Sequence, residues 1–217
     1  MRGLFNLDNP FLQFLSRVCD LIILNLLFIL TCIPIITIGA SLSALYTIAL
    51  KMVRNEESYI AKGYFKAFAS NFKQSTVLWL ISIVLFLFFR YDYIIASSQN
   101  TGMFRIIQVM LLMVILVFAA AFLYVFPVAS HFVCTLKQVI KNSFLMSIGH
   151  LPYTLILFAI YGLIWFVMTY SVKTLGLVIG ISMICGFSVT AYVTCIIFSK
   201  IFKKYEPEKE PEPLYPE

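Results

Sequence analysis

Five stretches of the chain contain no Asp, Glu, Lys or Arg: residues 21–50, 74–89, 106–136, 142–172 and 174–199. A helix that crosses a bilayer needs about 20 mostly apolar residues, because the hydrocarbon is ~30 Å thick and each residue rises ~1.5 Å. Four of the stretches exceed that length. The fifth borrows from its flank to make a span over about 75–96. Barrel strands would alternate polar and apolar positions. Residues 21–30, LIILNLLFIL, are apolar on both faces, so helices are expected.

Residues 1–17 are short and mixed, with Asn9-Pro10 as a helix-start signal. The apolar run that follows, with GASLSA after it, has the outline of a secretory leader. The long lead-in and the poor fit of Leu42 before Ala44 favour an uncleaved span. As one helix, residues 21–50 would run about 45 Å, too long for a simple crossing. Pro34 interrupts the run, and Thr37, Gly39 and Ser41 follow. A single kinked span competes with a pair, residues 18–34 crossing and 40–52 returning, or entering part-way. The charge pattern favours the pair. Residues 51–73 hold Lys51, Arg54, Lys62, Lys66 and Lys73 against Glu56 and Glu57, which points to a cytoplasmic loop.

Within that loop Ile60, Tyr64, Phe65, Phe68 and Phe72 share one helical face, and Lys62, Lys66 and Lys73 the other. This predicts an amphipathic cytoplasmic helix in the membrane interface, or one docked in a partner's groove. Further spans are expected over about 75–96, 106–126, 151–170 and 175–198. Arg90 and Asp92 are placed near a span end, within reach of water and each other. Pro127 opens a less apolar extension toward Lys137. Basic residues are more frequent on the proposed inner segments than on the outer links, which carry Arg90, Arg105 and Lys173, so the C-terminus is expected in the cytoplasm. The predicted fold is all-α: a polytopic transmembrane bundle of five or six membrane segments.

Composition agrees. Of 217 residues, 61% are apolar and 12% charged, against roughly 25% charged in soluble domains. Residues 1–204 form one membrane-embedded domain with 15 basic and 5 acidic residues, a net of +10. Residues 205–217 alternate Pro and Glu and are expected to be a disordered cytoplasmic tail. The basic residues are scattered among spans and make no case for nucleic acid. The lipid bilayer is the expected partner.

Candidate chemistry is sparse. Asp20 sits at the start of the first span one turn from Arg17. His131 lies near the Pro127 break, and His150 at a membrane edge. The five cysteines have neither C-x-x-C nor zinc-like spacing, so no metal or cofactor is expected. There is no Walker loop, nucleophile elbow, H-E-x-x-H or paired carboxylate. Gly176 and Gly180 make one Gly-x-x-x-Gly pair, a weak signal for a homo-oligomer.

Several short motifs, in order, resemble the YesL-type family of bacterial membrane proteins. They are GLFNLDNPF at the start; Cys32-Ile-Pro34-Ile-Ile-Thr37-Ile-Gly39-Ala40-Ser41 with Ala44-Leu45-Tyr46; Phe65-Lys66-Ala67-Phe68 through Asn71-Phe72-Lys73-Gln74; and Tyr124-Val125-Phe126-Pro127. The structural motif candidates are thus Pro34, Thr37, Gly39, Tyr46, Phe72, Lys73 and Pro127. The resemblance covers nearly all but the acidic tail. It implies no established activity and no catalytic residues. It implies a setting beside carbohydrate-uptake ABC systems and polysaccharide-degrading enzymes, including use of rhamnogalacturonan. The expected function is a non-enzymatic accessory or regulatory component of such an importer, in contact with its permease subunits. An autonomous small sugar carrier or channel, and a membrane enzyme acting on lipid or lipid-linked sugar, are the alternatives.

Overall fold

The computed structural model describes residues 10–56, 59–98 and 102–205, and these fold into helices with no strand among them. The expected tail, apart from Tyr205, and most of the opening motif lie outside the described residues. The helices are α1 (Pro10–Cys32), α2 (Ile38–Arg54), α3 (Ile60–Ser98), α4 (Gly102–His131), α5 (Leu136–Gly149), α6 (Leu151–Tyr170), α7 (Val172–Ile181) and α8 (Phe187–Phe202). A short 3-10 turn, Ile35–Thr37, joins α1 to α2, and a five-residue π turn, Ser182–Gly186, runs α7 into α8. Among the described residues six helical segments are long and apolar enough to cross a membrane, the α7–α8 unit counting as one.

The stretch around Pro34 is a helical pair, the reading the charge pattern favours. Pro34 is extended (φ −76°, ψ 119°) and α2 restarts within four residues. Arg17 near the start of α1 reaches the end of α2, donating to the Met52 carbonyl at 3.2 Å and to Asn55 Oδ1, so the two helices run antiparallel. Asn55 closes α2 in the left-handed region at φ 57°, a conformation Asn adopts more readily than most residues.

α2 is the axis of the bundle. It packs against α1, α3, α4 and α8, and Ala40, Ala44, Ile48, Ala49 and Met52 are almost fully buried. Gly39 lies where α2 touches α3. A methyl group there would collide with the Ser75 backbone and lie 2.6 Å from Trp79 Cβ, so only glycine allows this approach.

The structure changes three expectations. Residues 60–73 are not a separate interfacial helix. They run on into the next span as one 39-residue helix, α3, about 58 Å long. No strong breaker separates Lys73 from Ser75, so the helical hydrogen bonds continue. The amphipathic face divides accordingly: Ile60 and Tyr64 are buried, Phe68 is half-buried, and Phe65 and Phe72 are exposed. Secondly, α3 ends at Ser98, which leaves Arg90 and Asp92 two turns inside the helix. Thirdly, Pro127 is buried within α4, which continues to His131.

Candidate functional site

The family-like motif residues first resolve into a packing joint. Thr37 Oγ1 donates to the Thr31 and Pro34 carbonyls, both at 2.7 Å, which ties the 3-10 turn back onto α1. Trp79 Nε1 donates to the Ile35 carbonyl at 2.9 Å. Ser43 and Ser75 share a buried hydroxyl bond of 2.6 Å, and Thr31 and Tyr64 another of 2.6 Å. Pro34, Thr37 and Gly39 therefore meet in one α1–α2–α3 elbow.

Tyr46 lies elsewhere, at the bundle centre. Its hydroxyl meets that of Tyr161 at 3.1 Å, and its ring stands edge-on to Phe198. Tyr124 also stands edge-on to Phe198, and its hydroxyl meets Thr154 at 2.9 Å. Phe72 and Lys73 face outward. Beside them Gln74 donates to the Cys134 carbonyl at 2.7 Å and links α3 to the α4–α5 turn.

The titratable candidates do not converge. Arg17 donates to Met52, Asn55 and Tyr192 and also stands close enough to Asp20 for its charge to act on that carboxylate. His131 stacks on Phe202 at 5.0 Å, with its Nε2 3.5 Å from Arg54 Nη2. His150 lies apart, edge-on to Tyr205, with Nδ1 buried and without a hydrogen-bond partner among the described residues. Among the described residues no group of three or more His, Cys, Asp or Glu could hold a metal ion.

Two features were not foreseen. Asn25, fully buried in α1, donates from Nδ2 to the Ser182 and Met183 carbonyls at 3.0 Å and accepts from the Ser188 N–H at 3.1 Å. The π turn disturbs the regular backbone ladder there, and one amide serves both sides of the fault. Asn25 reads in sequence as a lone polar residue in an apolar run; only the packing of α1 against the π turn and α8 reveals its partners.

The second is a groove of about 660 Å³ between α3 and α4. On α3 its lining follows Trp79, Ile83, Phe86, Arg90 and Tyr93, one face of the helix; Phe118 and Phe122 are among the lining residues of α4. The groove is apolar apart from Arg90 and a few hydroxyls. Trp79 meets Phe126, and Phe89 meets Phe118, so the helices are antiparallel and Arg90 lies abreast of Leu116 and Val117. Arg90 has no hydrogen-bond or ion-pair partner among the described residues. Asp92, two positions on, points to a different side of the helix. A spacing of three and four residues from Trp79 onward is the sequence signal for this face, but the groove itself depends on the pairing with α4.

Comparison with known proteins agrees with this picture of a membrane protein without a recognised site. Residues 21–93 match the family described as "Protein of unknown function, DUF624". The chain is 27% identical over 152 residues to "Uncharacterized protein YesL" of Bacillus subtilis (strain 168), covering 70% of this chain and 71% of the relative. No solved structure matches. The resemblance to the YesL-type family stands on these two matches.

Proposed function

We propose that this YesL-type multi-pass membrane protein is a non-enzymatic accessory or regulatory component of a carbohydrate ABC importer. The observation behind the proposal is that the bundle's middle is filled. Tyr46, Tyr124 and Phe198 are buried against one another where a conduit would otherwise run. Meanwhile α3 and α4 leave a long apolar surface uncovered beyond Trp79. A closed bundle with an uncovered helical pair suits a subunit that associates with other membrane helices. The importer itself comes from the family resemblance, which also suggests rhamnogalacturonan oligosaccharides as the sugar class. The positive-inside count supports a cell-membrane location with the C-terminus in the cytoplasm. Affinity capture in gentle detergent is expected to recover permease subunits. Recovery of an intact importer free of this chain would overturn the proposal.

The alternative of an autonomous sugar carrier draws on the hydroxyl pairs Tyr46–Tyr161 and Tyr124–Thr154, which are sugar-compatible groups inside the bundle. Sugar flux into liposomes containing only the purified protein would favour it. For an enzyme acting on lipid or lipid-linked sugar, substitutions at Asp20, His131 and His150 are the test. Loss of in vivo function with the fold intact would be needed to revive that reading.

A further inference from the structure

We propose that the chain's own acidic C-terminal segment, residues 206–217, docks in a lysine-lined pocket where the end of α2 meets the start of α3. The inference is independent of the importer reading. The pocket has a volume of about 250 Å³. It is lined by Lys51 of α2, by Lys62 and Lys66 of α3, and by Glu56 and Tyr59 of the connection, over Ile48. Lys62 and Lys66 are one helical turn apart, so their stems start about 6 Å from each other. All three lysines are exposed, and none makes a hydrogen bond or ion pair with another described residue. Three ammonium groups thus face one small space against the single carboxylate of Glu56, and their complement is an anionic group.

Position and pattern select the occupant. Lys51 lies one turn before Arg54, whose Nη2 is 3.5 Å from His131 Nε2. The His131 ring stacks on Phe202 at 5.0 Å, and the Phe202 carbonyl accepts from the Tyr205 N–H at 2.8 Å. Tyr205 therefore stands at the same end of the bundle as the pocket. Residues 206–217 follow it, enough chain to reach about 40 Å when extended. Glu206, Glu208, Glu210 and Glu212 alternate there with Pro207, Lys209, Pro211 and Pro213. A residue before Pro favours extended backbone, and in extended backbone alternate residues share one side at a spacing of about 7 Å. A row of carboxylates at that spacing matches ammonium groups about 6 Å apart. The tether also raises the local concentration of these carboxylates at the pocket, an advantage that no free anion has.

Lysine reactivity in the full chain, purified in neutral detergent at low salt, tests this. The variant combines Glu206→Gln, Glu208→Gln, Glu210→Gln and Glu212→Gln, which keep side-chain length and remove only charge. Under limiting acetylating reagent, read by peptide mass spectrometry, Lys62 and Lys66 are expected to react about threefold more slowly in the unaltered chain than in the variant. Lys173, exposed at the start of α7, should react equally in both. A carbodiimide should join a glutamate of residues 206–212 to Lys51, Lys62 or Lys66. Mixing isotope-labelled with unlabelled chains should place these links within one chain. High salt should erase the protection, because it screens exposed charges. Equal Lys62 and Lys66 rates in the two chains overturn the proposal, and so do links found only between chains, which would assign the pocket to a second copy. Protection that both chains gain alike on adding phosphatidylglycerol, and not before, assigns the pocket to a lipid headgroup. The same result with inorganic phosphate assigns it to a free anion, and either outcome excludes the C-terminal segment as the occupant.

Discussion

The two helices that pack most closely together, α2 and α3, contrast sharply in their surroundings. Of the most apolar 18-residue window in each, 61% is buried in the Ile35–Arg54 segment and 6% in the Ile60–Ser97 segment, although the latter is the more apolar. In water the ranking would be reversed. In hydrocarbon an apolar side chain gains nothing from the hydrophobic effect by leaving lipid, so close packing and hydrogen bonding decide which helix goes to the middle. α2 supplies Gly39, Ala40, Ser41, Ser43, Ala44 and Ala49, all buried, and neighbouring backbones come close to it. The far part of α3 supplies Val84, Phe86, Leu87 and Phe88, all more than half exposed. Its large side chains hold neighbours apart, and the α3–α4 groove is the result.

The contrast can be broken or sharpened by substitution, with stability read from reversible unfolding in mixed micelles. The largest effect is expected at Phe198, which is 1% exposed and touches Tyr46, Tyr124 and Phe202. Phe198→Ala should lose about 3 kcal/mol through lost packing and the cavity left behind. A loss under ~1 kcal/mol would mean that the centre of the bundle is looser than its geometry indicates.

Next is a test of sign. Gly39→Ala should destabilise by about 2 kcal/mol, because the new methyl meets backbone that cannot yield. Gly176→Ala, where nothing lies within 4 Å, should be neutral or stabilising by up to ~1 kcal/mol through helix propensity. Matching responses at the two positions would refute the close-approach account of α2.

Asn25→Leu removes all three bonds across the π turn and should lose about 1.5 kcal/mol, allowing for the modest worth of hydrogen bonds in membranes. Faster hydrogen exchange confined to Ser182–Gly186 would localise the effect. The smallest change is expected on the arm. Val84→Ala, at a position 65% exposed, should stay within about 0.5 kcal/mol, and a larger loss would show that the arm is already covered in the purified protein.

Much of the fold could be read along the chain, and the candidate site much less. The break at Pro34, the return through Gly39 and the run of spans from α4 to α8 follow from charge-free lengths and breakers alone. The residues of the α1–α2–α3 elbow stand close together in sequence as Pro34, Thr37 and Gly39. The α3 residues that tie down the same elbow, Tyr64 to Thr31, Ser75 to Ser43 and Trp79 to Ile35, do not, because hydrogen bonds between helices leave no periodic trace. Residues 60–73 mislead for a similar reason. An apolar face with lysines opposite suits a helix lying on lipid and a helix lying on α2 equally well, since both present a low-polarity surface.

What the sequence determined by itself is the solvent and the period. Long charge-free runs require hydrocarbon around them, and hydrocarbon requires helices, because every backbone N–H and C=O must be paired within its own segment. Only the tertiary structure decided which helix is central, that Asn25 bridges the π turn, and that Arg90 lies beside the middle of α4. Each of these depends on the register between helices, and in lipid that register is set by side-chain size and polar contacts at a few crossing points rather than by how apolar each helix is.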